Sequence, residues 1–179
     1  MKPALCLLIA MLLSTHTAWA EDGGGDLNPE EMTLGRVMEN IRRGETSMTT
    51  CASGYFITKS GRHTMARELF ERCAADGWSG AMTWMSQLDD NGLGGPLDPK
   101  RAAEWDRQAA EAGDPVGMFN FGLDLMRGRG VAYDPARGRA LVDDAARAGL
   151  PVARRLQGAD YDLDEVTPDA DNWKYMPQS

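Results

Sequence analysis

The sequence predicts an all-α protein, an α/α superhelix (solenoid) of helical hairpins with capping helices, and three observations carry that prediction. First, residues 81–113 and 117–149 repeat one pattern at a step of 36: Gly92 falls on Gly128, Gly94 on Gly130, Asp98-Pro99 on Asp134-Pro135, Ala109-Ala110 on Ala145-Ala146 and Gly113 on Gly149. The same step backwards sets Cys73-Ala74 under Ala109-Ala110 and Gly77 under Gly113. A period of this length marks units that bury their apolar faces only by stacking on their neighbours. Second, each copy is punctuated as two helices. Asp114-Pro115 and Asp134-Pro135 each supply an N-cap carboxylate and an N1 proline, and Gly128-Arg129-Gly130 stops the first helix. Third, apolar residues recur at helical spacing inside those limits: Met118, Phe121, Leu123, Leu125 and Met126, then Ala140, Leu141, Ala145 and Ala146 towards the neighbouring unit.

Taken in order, residues 1–20 have the form of a signal peptide: a weakly basic start at Lys2, the short apolar run ALCLLIAMLL and the small-x-small site Ala18-Trp19-Ala20. The apolar run is too short to span a bilayer comfortably. Residues 21–45 read as a polar linker and a capping helix, with Asn28-Pro29-Glu30-Glu31 as its start and Met32, Val37, Met38 and Ile41 on its apolar face. Residues 46–77 form a degenerate first hairpin. Met48, Cys51, Tyr55 and Phe56 share one stripe, Gly61 breaks it, and Met65, Leu69 and Phe70 continue. With Gly54 in the place of Gly122, the loop of this unit is about four residues shorter than in the two units that follow, 78–113 and 114–149. A closing helix occupies 150–157, and 158–179 is an acidic tail carrying Trp173 and Tyr175.

This wording resembles the Sel1-like repeat family, relatives of the tetratricopeptide repeat. The resemblance rests on Gly117, Phe121-Gly122, Leu125, Gly128, Gly130-Val131, Asp134, Ala145-Ala146 and Gly149. In the earlier unit it rests on Ala81, Met85, Gly92, Gly94, Asp98, Trp105, Ala109-Ala110 and Gly113. Ser86 departs from the family's glycine, and Gly95-Pro96 from its valine. The resemblance covers roughly residues 46–157 and implies a superhelix that binds other proteins. Trp105, at the family's tryptophan place, is expected in the core.

Of three cysteines, Cys6 belongs to the leader, so Cys51 and Cys73 remain as a pair. In an oxidising compartment that points to a disulfide, with Cys51 early on one helix and Cys73 late on its antiparallel partner. Some cysteine-rich Sel1-like proteins carry bridges at nearly these positions. The alternatives are a zinc site, lacking evident third and fourth ligands, and a redox pair, which normally shows C-x-x-C.

Composition and motifs narrow the chemistry. The net charge is −8, and loss of Lys2 with the leader makes the balance more acidic. That argues against nucleic acid or an anionic membrane as partner, and no membrane insertion is expected once the leader is cleaved. His63, the one histidine outside the leader, reads as a solvated surface residue. G-x-S-x-G, H-E-x-x-H and the Walker loop are all absent. Asp160-x-Asp162-x-Asp164 begins like a calcium loop but has Glu165 where the turn glycine belongs. The acid pairs Asp89-Asp90 and Asp143-Asp144 read as solvated helix faces. No catalytic residue, cofactor or metal is therefore assigned.

Binding is the better-supported expectation. The first helices of such hairpins line a concave face, where Tyr55, Trp84, Phe119 and Asn120 fall; Trp84 and Phe119 are equally readable as inter-repeat core. Trp173 and Tyr175 either engage a partner from the tail or fold back into the groove. The expected protein is a periplasmic or secreted adaptor or regulator of another envelope protein. The alternative is an envelope enzyme acting on peptidoglycan or a β-lactam.

Overall fold

A computed structural model describes residues 33–166, and within them the chain is helical throughout, without a strand. The helices are α1 (Leu34–Arg43), α2 (Met48–Lys59), α3 (His63–Ala75), α4 (Ser79–Asp90), α5 (Pro99–Glu111), α6 (Pro115–Arg127), α7 (Pro135–Arg147) and α8 (Pro151–Gly158). A 3-10 turn, Leu163–Val166, follows. From α2 onwards each helix packs on the next, while α1 lies across both α2 and α3. The array is thus a run of hairpins, α2–α3, α4–α5 and α6–α7, bounded by α1 and by α8 with its turn.

The caps explain where the helices begin. Asp98, Asp114 and Asp134 each accept from backbone amides in the first turn, and proline at N1 leaves no amide wasted. The long loops close identically in both later hairpins. The Asp98 amide donates to the Asp89 carbonyl at 2.8 Å, and the Asp134 amide to the Leu125 carbonyl at 2.9 Å. The second glycine of each loop, Gly94 or Gly130, has positive φ and lies directly against backbone at the start of the preceding hairpin's second helix, at His63-Thr64 and Pro99-Lys100 respectively. A Cβ at either place would overlap that backbone. The first hairpin turns through Ser60–Arg62 alone, and α3 has no side-chain cap.

Two apolar clusters form the core. One joins Met38, Ile41, Leu69, Phe70, Met85 and Leu88; the other joins Phe119, Leu123, Met126, Val142, Ala153 and Leu156. Cys51 and Cys73 are bonded, tying α2 to α3 across a sequence separation of 22. A bridge closing a loop of this size adds roughly 3 kcal/mol by restricting the unfolded chain.

Several sequence expectations are corrected. α1 starts at Leu34 behind a Thr33 cap, whereas the Asn28 start lies outside the described residues. Met48 and Phe56 are not core: both are exposed, Phe56 at 72%, and Ile57 and Thr58 are the buried residues of that turn. On α7, Val142 rather than Ala140 faces inwards. Asp89 is no solvated acid but is 0% exposed, bound by Arg67 at 2.6 Å and by the Trp105 indole N–H at 3.2 Å. Trp105 packs against the first core cluster as expected, half-buried, while its indole N–H serves Asp89. His63 is half-buried too, its Nδ1 shielded from water. Finally, the tail does not change character at Gly158. Tyr161, Leu163 and Val166 pack on the second cluster, and the Tyr161 hydroxyl donates to Asp143 at 2.5 Å.

Candidate functional site

The step of 36 aligns the three junctions at which one hairpin meets the next. On the second helix of each hairpin the aligned residues are Phe70, Asp106 and Val142, exposed by 1%, 4% and 0%. The following helix contributes Trp84, Asn120 and Leu156 at one step, and the preceding helix contributes Gly54, Ser86 and Gly122. At the first junction Trp84 stacks on Phe70, ring centroids 5.8 Å apart, and the missing side chain of Gly54 leaves room for the Phe70 ring. At the third, Val142 and Leu156 share the second apolar cluster, with Gly122 against Val142. The middle junction is polar. The Ser86 hydroxyl donates to Asp106 Oδ2, and the Asn120 amide donates to Asp106 Oδ1 at 3.1 Å.

This junction opens into a cavity of about 530 Å³ between α4 and α6. Ser86 and Asp90 come from α4, Asp106 from α5, and Phe119, Asn120, Leu123 and Asp124 from α6; Val166 closes one side. Asp90 is held by Arg129, N–O 2.6 Å, across its rim. Burial pushes the Asp106 carboxyl up to about 7, against the opposing hydrogen bonds of Ser86 and Asn120 and with Asp90 and Asp114 nearby adding to the rise. Burial also pushes Asp124 up to about 8, reinforced by Asp106 and Asp90 and moderated by Arg129 and Arg127. Oδ2 of Asp124 is shielded from water and has no hydrogen-bond partner among the described residues. Carboxyls with raised proton affinity cluster at functional clefts and occur in structural networks as well. No group of described side chains is arranged to hold a metal ion.

The sequence-predicted binding residues separate. Phe119 is buried and Asn120 half-buried, and both line the cavity. Trp84 is half-buried on Phe70, and Tyr55 meets its edge at 5.6 Å from an exposed position, so this pair belongs to the first junction. Trp173 and Tyr175 lie outside the described residues. Sequence reasoning passed over Asp106 and Asp124. The signal was present: an acid stands between phenylalanine and valine in the repeat column, and a serine between glycines beside it.

Fold and site together define an α/α repeat protein whose repeat column, apolar at Phe70 and Val142, is polar at Asp106 in the middle junction. No protein-family model matches the sequence, and no curated protein matches it. Solved structures do. A Sel1 repeat protein from Oxalobacter formigenes matches at TM-score 0.57 and 28% identity over 65% of this chain and 46% of that one. Cysteine rich protein B of Helicobacter pylori matches at 0.56 and 16% over 70% of this chain and 98% of that one. The protective antigen c5321 of uropathogenic Escherichia coli, described as displaying an SLR fold, matches at 0.52 and 18% over 76% and 34%. The chain therefore has the Sel1-like repeat fold, and it spans less than half the length of the Oxalobacter protein. Among the described residues no helix is long and apolar enough to cross a membrane.

Proposed function

We propose that this protein is a periplasmic or secreted adaptor or regulator that binds another envelope protein on the face formed by α4 and α6. The cavity at the middle junction carries the reading, because it joins apolar walls to buried polar groups that the repeat itself does not require. The Sel1-like fold, generally one of protein–protein interaction, supports it. The Cys51–Cys73 bond suits an oxidising compartment, as does the signal-peptide form of residues 1–20. A photo-crosslinking residue at Gln87, on the cavity rim, is expected to trap one dominant envelope protein. The same group at Arg155 on α8 is expected to trap none; equal labelling from both positions refutes a specific face. N-terminal sequencing of the exported protein is expected to begin at Glu21.

One observation favours a second reading, the envelope enzyme. Asp106 and Asp124 have proton affinities suited to general acid catalysis and sit in one cavity. Turnover of peptidoglycan or a β-lactam that is abolished by Asp106→Asn would establish it.

A further inference from the structure

We propose that the cavity between α4 and α6 is occupied by this chain's own C-terminal segment, residues 167–179, with the Trp173 ring seated in it. The regulatory part of this rests on the binding reading above: a partner using that face must displace the segment. At each junction the repeat sets one pair of side chains, from the first helices on either side. In the first junction they are Tyr55 and Trp84, whose rings meet at 5.6 Å. In the third they are Leu123 and Leu156, both in the second apolar cluster. In the middle junction Gln87 follows Ser86 as Tyr55 follows Gly54, and Asn120 stands one step of 36 beyond Trp84. Both are amides, and there the cavity of about 530 Å³ opens with both on its wall. The void therefore lies where the first junction has two rings.

The chain carries a ring within reach. Val166 lies on the cavity wall, and Trp173 follows seven residues later. Seven residues span at most about 25 Å, and a flexible tether this short holds its end at roughly millimolar effective concentration. A modest contact then suffices for occupancy. The walls suit an indole. Phe119 and Leu123 are apolar, and the Arg127 guanidinium, which makes no hydrogen bond or salt bridge among the described residues, offers a stacking face. Arginines sit over rings elsewhere in this chain, Arg137 on Phe121 at 5.5 Å and Arg139 on Tyr161 at 5.0 Å. The indole N–H can donate to a cavity carboxyl, as that of Trp105 donates to Asp89 at 3.2 Å.

Charge favours a neutral occupant. Arg129 balances Asp90, burial holds the Asp106 and Asp124 carboxyls protonated up to about 7 and 8, and Arg127 opposes the charge that remains. Neither a cation nor an anion gains much in such surroundings, whereas a neutral ring with one donor gains from the apolar wall.

The test is nuclear magnetic resonance on the isotope-labelled chain beyond its leader, residues 21–179. Cross-relaxation between the Trp173 ring and the Leu123 methyls is expected. Trp173→Ala should shift the resonances of Phe119, Asn120 and Leu123 and leave those of Phe70 and Trp84 in place. Gln87→Tyr restores the first junction's ring at an exposed position, and it should release the Trp173 indole to the shift of free tryptophan. A Trp173 ring without contact to Leu123, with cavity resonances that ignore Trp173→Ala, overturns the proposal. So does cross-relaxation seen only between labelled and unlabelled chains in a mixed sample, because the occupant would then be a second copy. With the crosslinker at Gln87, Trp173→Ala should raise partner capture about tenfold, as for a face open one-tenth of the time. Unchanged capture alongside ring contact refutes displacement. Capture of one dominant protein without ring contact refutes the docked segment alone, and ring contact without capture refutes the partner alone.

Discussion

At the first junction Gly54, Phe70 and Trp84 fit together through rings and a missing side chain; at the second, Ser86, Asp106 and Asn120 fit through two hydrogen bonds. The second-helix column is shared at a step of 36, so the comparison bears on what its side chains contribute. A fully buried phenylalanine stabilises by roughly 1.5–3 kcal/mol. A buried carboxyl must keep its proton or lose hydration, which leaves the second junction stabilised by packing around it rather than by the pair itself. At this column the middle junction is therefore expected to hold less firmly than the first.

The sharpest way to break the comparison is Phe70→Ala. The ring is 1% exposed and backed by Trp84, so a loss of about 3–5 kcal/mol is expected in urea unfolding. Removing both cysteines, Cys51→Ser with Cys73→Ser, should cost about 3 kcal/mol and lower the unfolding midpoint mainly through the first hairpin. A drop below 1 kcal/mol would show that the first junction holds without its bridge.

Converting the second junction to the third, Ser86→Gly with Asp106→Val and Asn120→Leu, is expected to stabilise the chain by about 1–3 kcal/mol. The gain should be larger at pH 8 than at pH 5. Asp106 and Asp124 hold protons in the folded state up to about 7 and 8, while the unfolded chain releases them near 4. Between those limits the folded state binds more protons, so their contribution to stability falls as pH rises. The triple variant loses the Asp106 share of that slope. A steeper slope in the variant would contradict the assignment. The smallest effect belongs to the closing turn: Tyr161→Phe removes the hydroxyl donated to Asp143 and should cost about 1 kcal/mol in thermal unfolding.

The architecture was legible because its signals are local and repeated. Asp-Pro starts, glycine stops and a fixed step specify helices and hairpins without any knowledge of packing, and the cysteine pair falls where one hairpin brings its helices together. Side-chain depth was less legible. Phe56 looks like core and is exposed, since the turn of α2 that faces α3 carries Ile57 and Thr58 instead. Asp89 looks like surface and is buried, since Arg67 reaches it from another hairpin, a contact no local window contains. The cavity acids were hidden in a subtler way. Ser86 was visible as a departure from glycine, but its meaning lies in the Asp106 it faces, twenty residues on and in a different helix.

The glycines of the long loops carry one more consequence. Gly94 and Gly130 set the approach of each hairpin to the one before it by backbone contact, without involving the residues at positions 70, 106 and 142. Curvature and recognition are thus written in separate letters. The junction column can drift between rings, acids and aliphatics while the superhelix keeps its pitch, so a lineage of such proteins can change what it holds without relearning how to fold.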